Sequence, residues 1–178
     1  MVHHFIQLFI LILPAYIANA LPVVLGHGTP IDLNKKFIDG KRVFGPGKTI
    51  RGFIAAVIGG FFIGGILGLL LFKTPYNIFN FQMSYVYAGI LLGFGAIFGD
   101  LCGSFLKRRF NKKRGESLFF IDEIVFLLIA LLFSSFIFSD LVFSITELDI
   151  LILIVITFIL HKLANIIAYI FKLKNVPW

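Results

Sequence analysis

The sequence predicts an all-α integral membrane protein with a single domain, residues 1–178, and five transmembrane helices. Its residues are 59% hydrophobic and only 14% charged, whereas soluble domains carry about 25% charged residues. Crossing about 30 Å of hydrocarbon takes about 20 apolar residues of helix. Five tracts are long enough for this, namely residues 5–25, 50–72, 84–106, 118–138 and 150–171.

The first tract is predicted to be a spanning helix rather than a cleaved signal peptide. Its apolar run is too long for a signal peptide and has no basic start, and Pro14 and Pro22 interrupt it. The only cysteine, Cys102, excludes an internal disulfide.

Lysine and arginine in the connections predict the orientation of the helices. Two connections are basic, whereas the other two carry either one lysine or acidic residues alone. The positive-inside rule therefore predicts that both basic loops and the C-terminus are cytoplasmic and that the N-terminus is outside. This placement also explains the net charge of +7 without a nucleic-acid partner. The basic residues of the first loop are Lys35, Lys36, Lys41, Arg42 and Lys48, with Arg51 at the next helix start. Those of the second loop are Lys107, Arg108, Arg109, Lys112, Lys113 and Arg114, and those of the C-terminal end are Lys172 and Lys174.

Four tracts carry a polar side chain at a similar depth in the cytoplasmic half of the membrane. Each lies seven or eight residues from a residue at the predicted cytoplasmic surface, namely Gly26, Lys107, Arg114 and Lys172 in turn, which corresponds to about 10–12 Å of helix. Polar groups are costly in lipid and are usually functional there. These residues are Asn19, Asp100, Asp122 and Asn165.

The third tract is predicted to turn Asp100 towards the other helices. Small residues at four-residue spacing in the second and third tracts favour close helix packing, and Asp100 shares a face with several of them. Two ionised carboxylates, Asp100 and Asp122, need a nearby cation. Mg²⁺ fits because it takes one or two carboxylates and accepts substrate phosphates. The alternative is a structural ion pair of Asp100 with Arg51 or Lys107. The shared face comprises Gly89, Gly93, Ala96, Asp100, Ser104 and Lys107.

Residues 43–52, VFGPGKTIRG, contain the end of a Walker A motif but do not form one. The glycine that the motif requires five residues earlier is Arg42, and no strand precedes the loop. Lys48, Thr49 and Arg51 do stand at a predicted helix N-terminus, which favours phosphate binding. The alternative is that this basic loop only sets the topology and attracts anionic membrane lipids.

The sequence leaves the roles of three other polar residues open. His161 shares a helix face with Asn165, which favours a face that lines the interior of the helix bundle. Lys162 is equally well explained as a side chain that reaches towards the cytoplasm. Glu123 lies about 100° around the helix from Asp122.

Residues 99–109, GDLCGSFLKRR, with the following basic run and Asp122, resemble the signature of CDP-diacylglycerol synthase–type cytidylyltransferases. The whole chain is more similar to the small archaeal branch, the CDP-archaeol synthases. Asn19, residues 28–32 (GTPID), residues 39–53 (DGKRVFGPGKTIRGF) and the ending NIIAY…LKNVPW carry this resemblance. Residues 112–124, KKRGESLFFIDEI, depart from the bacterial signature, so roles of that bacterial loop are not carried over.

The resemblance implies transfer of CMP from CTP to an isoprenoid ether-lipid phosphate, with release of pyrophosphate. It implies a multi-pass enzyme of the cell membrane, with an active site that faces the cytoplasm, and leaves a homo-oligomer possible. Asp100 and Asp122 would hold the metal, and they would form the catalytic set with Lys107. The predicted substrate-binding residues are Asn19, Arg42, Lys48, Thr49, Arg51, Ser104, Arg108 and Asn165.

This chemistry agrees with the residues taken on their own. A lipid phosphate is already ionised near pH 7 and needs no general base, so positioning and charge neutralisation suffice. The competing class is a cation transporter or channel, but a transport path also needs polar groups near the midplane. A purely structural membrane subunit would not need Asp100 or Asp122.

Overall fold

The structure is a computed structural model, and it describes residues 2–112, 116 and 121–173. Within these residues the regular secondary structure is entirely helical, which confirms the all-α prediction. The only extended pairings are isolated bridges in the loop before the second helix, also among the described residues. The helices are α1 (Val2–Leu25), α2 (Ile50–Leu71), α3 (Gln82–Arg109), α4 (Ile121–Ser135), α5 (Ser139–Phe143) and α6 (Glu147–Ile170).

Four helices of the described chain are long and apolar enough to cross a membrane. They are His3–Leu25 within α1, and α2, α3 and α6. The fourth predicted tract, 118–138, contains α4, whose described part is 15 residues long. Residues 118–120 lie outside the described residues, as do Lys113, Arg114, Lys174 and the rest of the C-terminal ending. The count of five spans and the orientation therefore stay predictions.

Helix α3 lies at the centre of the bundle, where it contacts α1, α2 and α4. Its buried side chains pack with those of α1 and α4 into one apolar core. The outward faces of α2 and α6 expose large apolar side chains, as expected of surfaces that meet lipid. The core includes Leu11, Ile12 and Ala15 of α1, Leu92 and Ala96 of α3, and Leu127 and Ala130 of α4.

Glycines bring α3 into backbone contact with two neighbours. A Cβ added at Gly60 of α2 would lie 2.2 Å from the carbonyl oxygen of Gly89. A Cβ at Gly99 would lie 2.9 Å from the Cα of Phe126 on α4. Only glycine permits such approaches, as the small-residue spacing predicts. The close packing fixes α3 tightly against both helices.

Helix α6 is attached to the bundle by polar contacts as well as by apolar packing. The Tyr16 hydroxyl lies 2.9 Å from Thr157 Oγ1, and His4 Nε2 lies 3.0 Å from Asp149 Oδ1. Asp149, Leu153 and Thr157 are buried and recur every four residues, so they form one face of the helix. In lipid, such hydrogen bonds hold helices together where apolar burial provides no driving force.

The loop between α1 and α2 is docked on the last turn of α3. The Arg109 guanidinium lies 5.1 Å from the ring centre of Phe37 and 4.7 Å from that of Phe105. It also pairs with Asp39 at 3.0 Å and donates to the carbonyl oxygen of Arg42 at 2.6 Å. This docking brings the Gly-Lys-Thr segment to the end of α3 that carries the predicted site.

Candidate functional site

Two lysine–carboxylate pairs form the centre of the candidate site. Lys48 Nζ, from the loop before α2, contacts Asp100 Oδ2 on α3. Lys107 Nζ, on α3, lies 2.7 Å from Asp122 Oδ2 on α4. All four side chains are partly exposed, between 18% and 26%. The pairs thus join three segments of the chain and remain accessible from outside the bundle.

These partners differ from those suggested by the ion-pair alternative. That alternative paired Asp100 with Arg51 or Lys107, but Lys107 contacts Asp122 and Arg51 is exposed at the start of α2. The lysine of the Gly-Lys-Thr segment takes the place beside Asp100.

Asp122 rests against α3 close to Asp100. A Cβ added at Gly103 would lie 3.3 Å from Asp122 Oδ1, so the carboxylate contacts the turn that follows Asp100. Ser104 is buried in the same turn. Because Asp100, Ser104 and Lys107 follow four- and three-residue steps, they share one helix face. The two carboxylates therefore adjoin the same part of α3.

Asp32 holds the loop that carries Lys48. Its buried carboxylate accepts from the Arg42 guanidinium at 2.5 and 3.3 Å, and from the backbone amides of Asn34, Phe44 and Gly45 at 3.1, 3.2 and 2.9 Å. Burial raises the pKa of Asp32, but these hydrogen bonds outweigh it and lower the pKa to about 2. The Asp32 carboxylate thus occupies the backbone amides of Phe44 and Gly45 in the glycine-rich segment, and it engages Arg42 as well.

Arg108 lies against the glycine turn of the same loop. Gly45 has a φ of +97°, a conformation that side chains other than glycine rarely adopt. A Cβ at Gly45 would lie 3.6 Å from Arg108 Nε. The glycine thus forms the turn, and the Arg108 guanidinium lies against it, beside the Gly-Lys-Thr segment.

Thr49 is the N-cap of α2 rather than an open ligand. Its hydroxyl donates to the Gly26 carbonyl oxygen at 2.6 Å and accepts from the Gly52 amide at 3.0 Å. Both hydrogen-bonding roles of the hydroxyl are therefore used in holding the start of the helix. Its predicted substrate contact stays a prediction.

The two predicted asparagines lie near His161 of α6. Asn19 Nδ2 is 3.1 Å from His161 Nε2, and Asn165 lies half-buried one turn beyond His161. His161 Nδ1 is in turn 3.9 Å from Glu123 Oε1. The sequence left Glu123 and His161 open, and the fold brings them together.

Sequence reasoning missed Asp32 and Arg109. Both belong to polar segments, where a charged residue is normally solvated. Asp32 acts within its own loop, whereas Arg109 contacts a residue 67 positions away. For Asp32, the available signal was its position inside the quoted segment GTPID.

The carboxylates fit a magnesium ion that arrives with substrate phosphates. Among the described residues, no three His, Cys, Asp or Glu side chains cluster as a preformed metal site. Mg²⁺ needs only one or two carboxylates and completes its coordination with waters and phosphates. Asp100 and Asp122 each contact a cationic lysine, so their oxygens already face positive charge. This donor set suits a hard divalent cation.

A family model described as CarS-like, CDP-archaeol synthase, matches residues 1–178. The chain belongs to the CDP-archaeol synthase family. The CDP-archaeol synthase of Archaeoglobus fulgidus is 44% identical over 94% of this chain and 94% of that protein. The CDP-archaeol synthase of Pyrococcus abyssi is also 44% identical, over 97% of each chain. Both matches confirm the resemblance carried by the quoted motifs.

A solved structure agrees with the CDP-archaeol synthase assignment. It is described as an intramembrane enzyme for archaeal membrane lipids biosynthesis. Its TM-score to this chain is 0.74 at 34% identity, and the match covers 89% of this chain and 92% of the other. The fold is therefore that of a multi-pass membrane enzyme, and the transporter alternative gains no support.

Proposed function

We propose that the protein transfers CMP from CTP to the phosphate of an unsaturated archaeal ether lipid, which forms CDP-archaeol and pyrophosphate. The observation that carries the proposal is a full-length match to the CDP-archaeol synthase family in a chain that pairs the carboxylates of Asp100 and Asp122 with lysines. Membrane lipids surround the exposed apolar faces of α2 and α6 and hold the tails of the lipid substrate.

The proposed reaction needs charge neutralisation more than proton transfer. An ionised oxygen of the lipid phosphate forms a bond to the α-phosphorus of CTP, and the bond between that phosphorus and the bridging oxygen of pyrophosphate breaks. Both reactants are polyanions, so fixed positive groups lower the barrier. Lys48, Lys107 and Arg108 adjoin the site from two directions and supply these groups.

Magnesium dependence belongs to the same proposal. Asp100 and Asp122 would hold the ion, which neutralises charge on the phosphate oxygens of CTP when bound. Lys48 and Lys107 would then contact the phosphates. Ser104, which is buried between Asp100 and Lys107 on α3, would orient a carboxylate or a phosphate through its hydroxyl.

The proposed topology has five spans, with the N-terminus outside and the site facing the cytoplasm. The basic α1–α2 loop and the basic end of α3 both lie at the site. The positive-inside rule places such segments in the cytoplasm, where CTP is available. A single domain and a homo-oligomer remain predictions of the sequence.

The direct test of this function is pyrophosphate release from CTP by the purified protein in liposomes. We expect release only when CTP and an unsaturated ether-lipid phosphate are both present, together with a lipid product that carries label from the cytidine. Diacyl phosphatidate serves as the comparison lipid and should react more slowly. Absence of a labelled lipid product with every lipid phosphate would overturn the proposal.

Lys48→Ala is expected to raise the KM for CTP by about 10- to 100-fold. The reason is that a hydrogen bond to a charged group contributes about 1.5–3 kcal/mol. Steady-state kinetics at saturating lipid measure the change. Lys36→Ala is the matched control, because Lys36 is exposed in the same loop. If Lys48→Ala leaves the KM unchanged, the loop has only a topological role.

A further inference from the structure

Three helices contribute to a polar contact behind the proposed site. Asn19 of α1, His161 of α6 and Glu123 of α4 form a chain, with 3.1 Å between Asn19 Nδ2 and His161 Nε2 and 3.9 Å between His161 Nδ1 and Glu123 Oε1. The side chains of His161 and Glu123 are 19% and 12% exposed. Such groups are costly inside a membrane, so the contact requires an explanation.

The hydrogen bond from Asn19 shows which nitrogen of the His161 imidazole carries the proton that faces Glu123. The Asn19 amide nitrogen donates to Nε2, so Nε2 is the acceptor and the ring proton lies on Nδ1. Nδ1 faces Glu123 Oε1. The ring of Phe126, one turn further along α4, packs edge-on against the imidazole with 4.9 Å between centroids. The imidazole is therefore held by α1 on one side and by α4 on the other.

Glu123 and the neighbouring Asp122 anchor α4 to two different helices. They are about 100° apart around the helix. Asp122 contacts Lys107 at 2.7 Å and lies beside Gly103, so it faces α3. Glu123 faces His161 on α6. Rotation of this end of α4 about its own axis would break one contact or the other.

We propose that Glu123, held by His161 and Asn19, is a positioning residue that fixes where Asp122 lies. This inference rests on the proposed function, because Asp122 is the carboxylate proposed to hold the metal. Partners that orient metal ligands typically affect metal affinity or activity by about 10- to 100-fold. The competing explanation is that the contact only attaches α6 to the bundle.

A second polar contact on α6 separates these two explanations. Thr157 lies one turn before His161 and bonds Tyr16 of α1 at 2.9 Å. It therefore joins α1 to α6, and its hydrogen bonds go to Tyr16 and to the Leu153 carbonyl oxygen rather than to Asp122 or Glu123 of α4. Thr157→Val removes this hydrogen bond at nearly constant shape, so it is a matched control for attachment alone.

The test measures Mn²⁺ binding by electron paramagnetic resonance in the presence of CTP, together with CMP transfer. For Glu123→Gln we expect Mn²⁺ affinity and kcat to fall by about tenfold or more. Thr157→Val should stay within about twofold of the wild type in both. The melting temperatures of the two variants should fall by similar amounts, since both lose one polar contact.

A pair of substitutions at His161 keeps the test decisive if Glu123→Gln does not fold. His161→Leu removes donor and acceptor and is expected to reproduce the loss of Mn²⁺ affinity. His161→Gln keeps both groups and is expected to recover part of it. Unchanged Mn²⁺ affinity in Glu123→Gln and His161→Leu, or an equal loss in Thr157→Val, would refute the positioning role. Failure of the wild type to form lipid product refutes the proposed function instead, whatever the variants bind.

Discussion

Asp100→Asn and Asp122→Asn are each expected to lower CMP transfer by about 10²- to 10³-fold. The amide keeps the shape of the side chain but loses the charge that is proposed to hold the metal. Metal-ion stabilisation of transition-state charge contributes several kcal/mol, and each 1.36 kcal/mol changes the rate tenfold. Incorporation of label from CTP into lipid, titrated with Mg²⁺, measures the loss.

Asp140→Asn is the matched control for these two carboxylates. Asp140 is an exposed acid of α5 and takes no part in the lysine–carboxylate pairs. Its substitution should leave activity within about twofold. If Asp100→Asn and Asp122→Asn both retain activity within a similar range, the metal assignment is wrong and the two pairs are structural.

Asp32→Asn is expected to destabilise the loop that carries Lys48 and to raise the KM for CTP at least about tenfold. The new amide group would face backbone amides, and Arg42 would lose its partner. Removing one member of a buried ion pair typically costs about 3–5 kcal/mol. Trypsin provides a second measurement, because Lys35, Lys36 and Lys41 lie in this loop and should be cleaved faster.

Asp39→Asn is the control within the same loop. Asp39 pairs with Arg109 at 3.0 Å, but its side chain is 32% exposed. We therefore expect at most a small change in KM and in cleavage rate. If Asp32→Asn and Asp39→Asn change the KM for CTP and the cleavage rate equally, Asp32 has no special role in holding the loop.

The pH dependence of loop stability follows from the lowered pKa of Asp32. The pKa falls from 3.8 to about 2 in the folded loop, so the ionised form stabilises folding. This stabilisation is complete at pH values above 3.8 and is lost as the pH falls towards 2. Asp32 therefore does not titrate near neutral pH.

Much of the fold was predictable because a helix that crosses lipid must be a contiguous stretch of apolar residues. Apolar length predicts where helices lie, and α2 begins at the expected residue, Ile50. Glycine spacing predicts close packing, which Gly60 and Gly99 confirm. The pattern does not tell which glycine meets which helix, since that depends on the rotation of α3 against two neighbours.

The candidate site was predictable as a set of residues but not as a set of contacts. Asp100, Asp122 and Lys107 are conspicuous because charge is rare in apolar tracts. Asp32 is not conspicuous in a polar loop, although its hydrogen bonds place Lys48. Thr49 was predicted to bind phosphate, and its role as the N-cap of α2 was not foreseen.

The sequence by itself determined that this is a helical membrane protein of the CDP-archaeol synthase type, because composition, apolar length and motifs are properties of contiguous residues. Only the tertiary structure decided that Lys48 pairs with Asp100, 52 residues away, and that Glu123 meets His161. Such contacts depend on how helices rotate and how loops dock. Helix rotation and loop docking are determined by packing across the whole bundle, so no local sequence pattern reveals them.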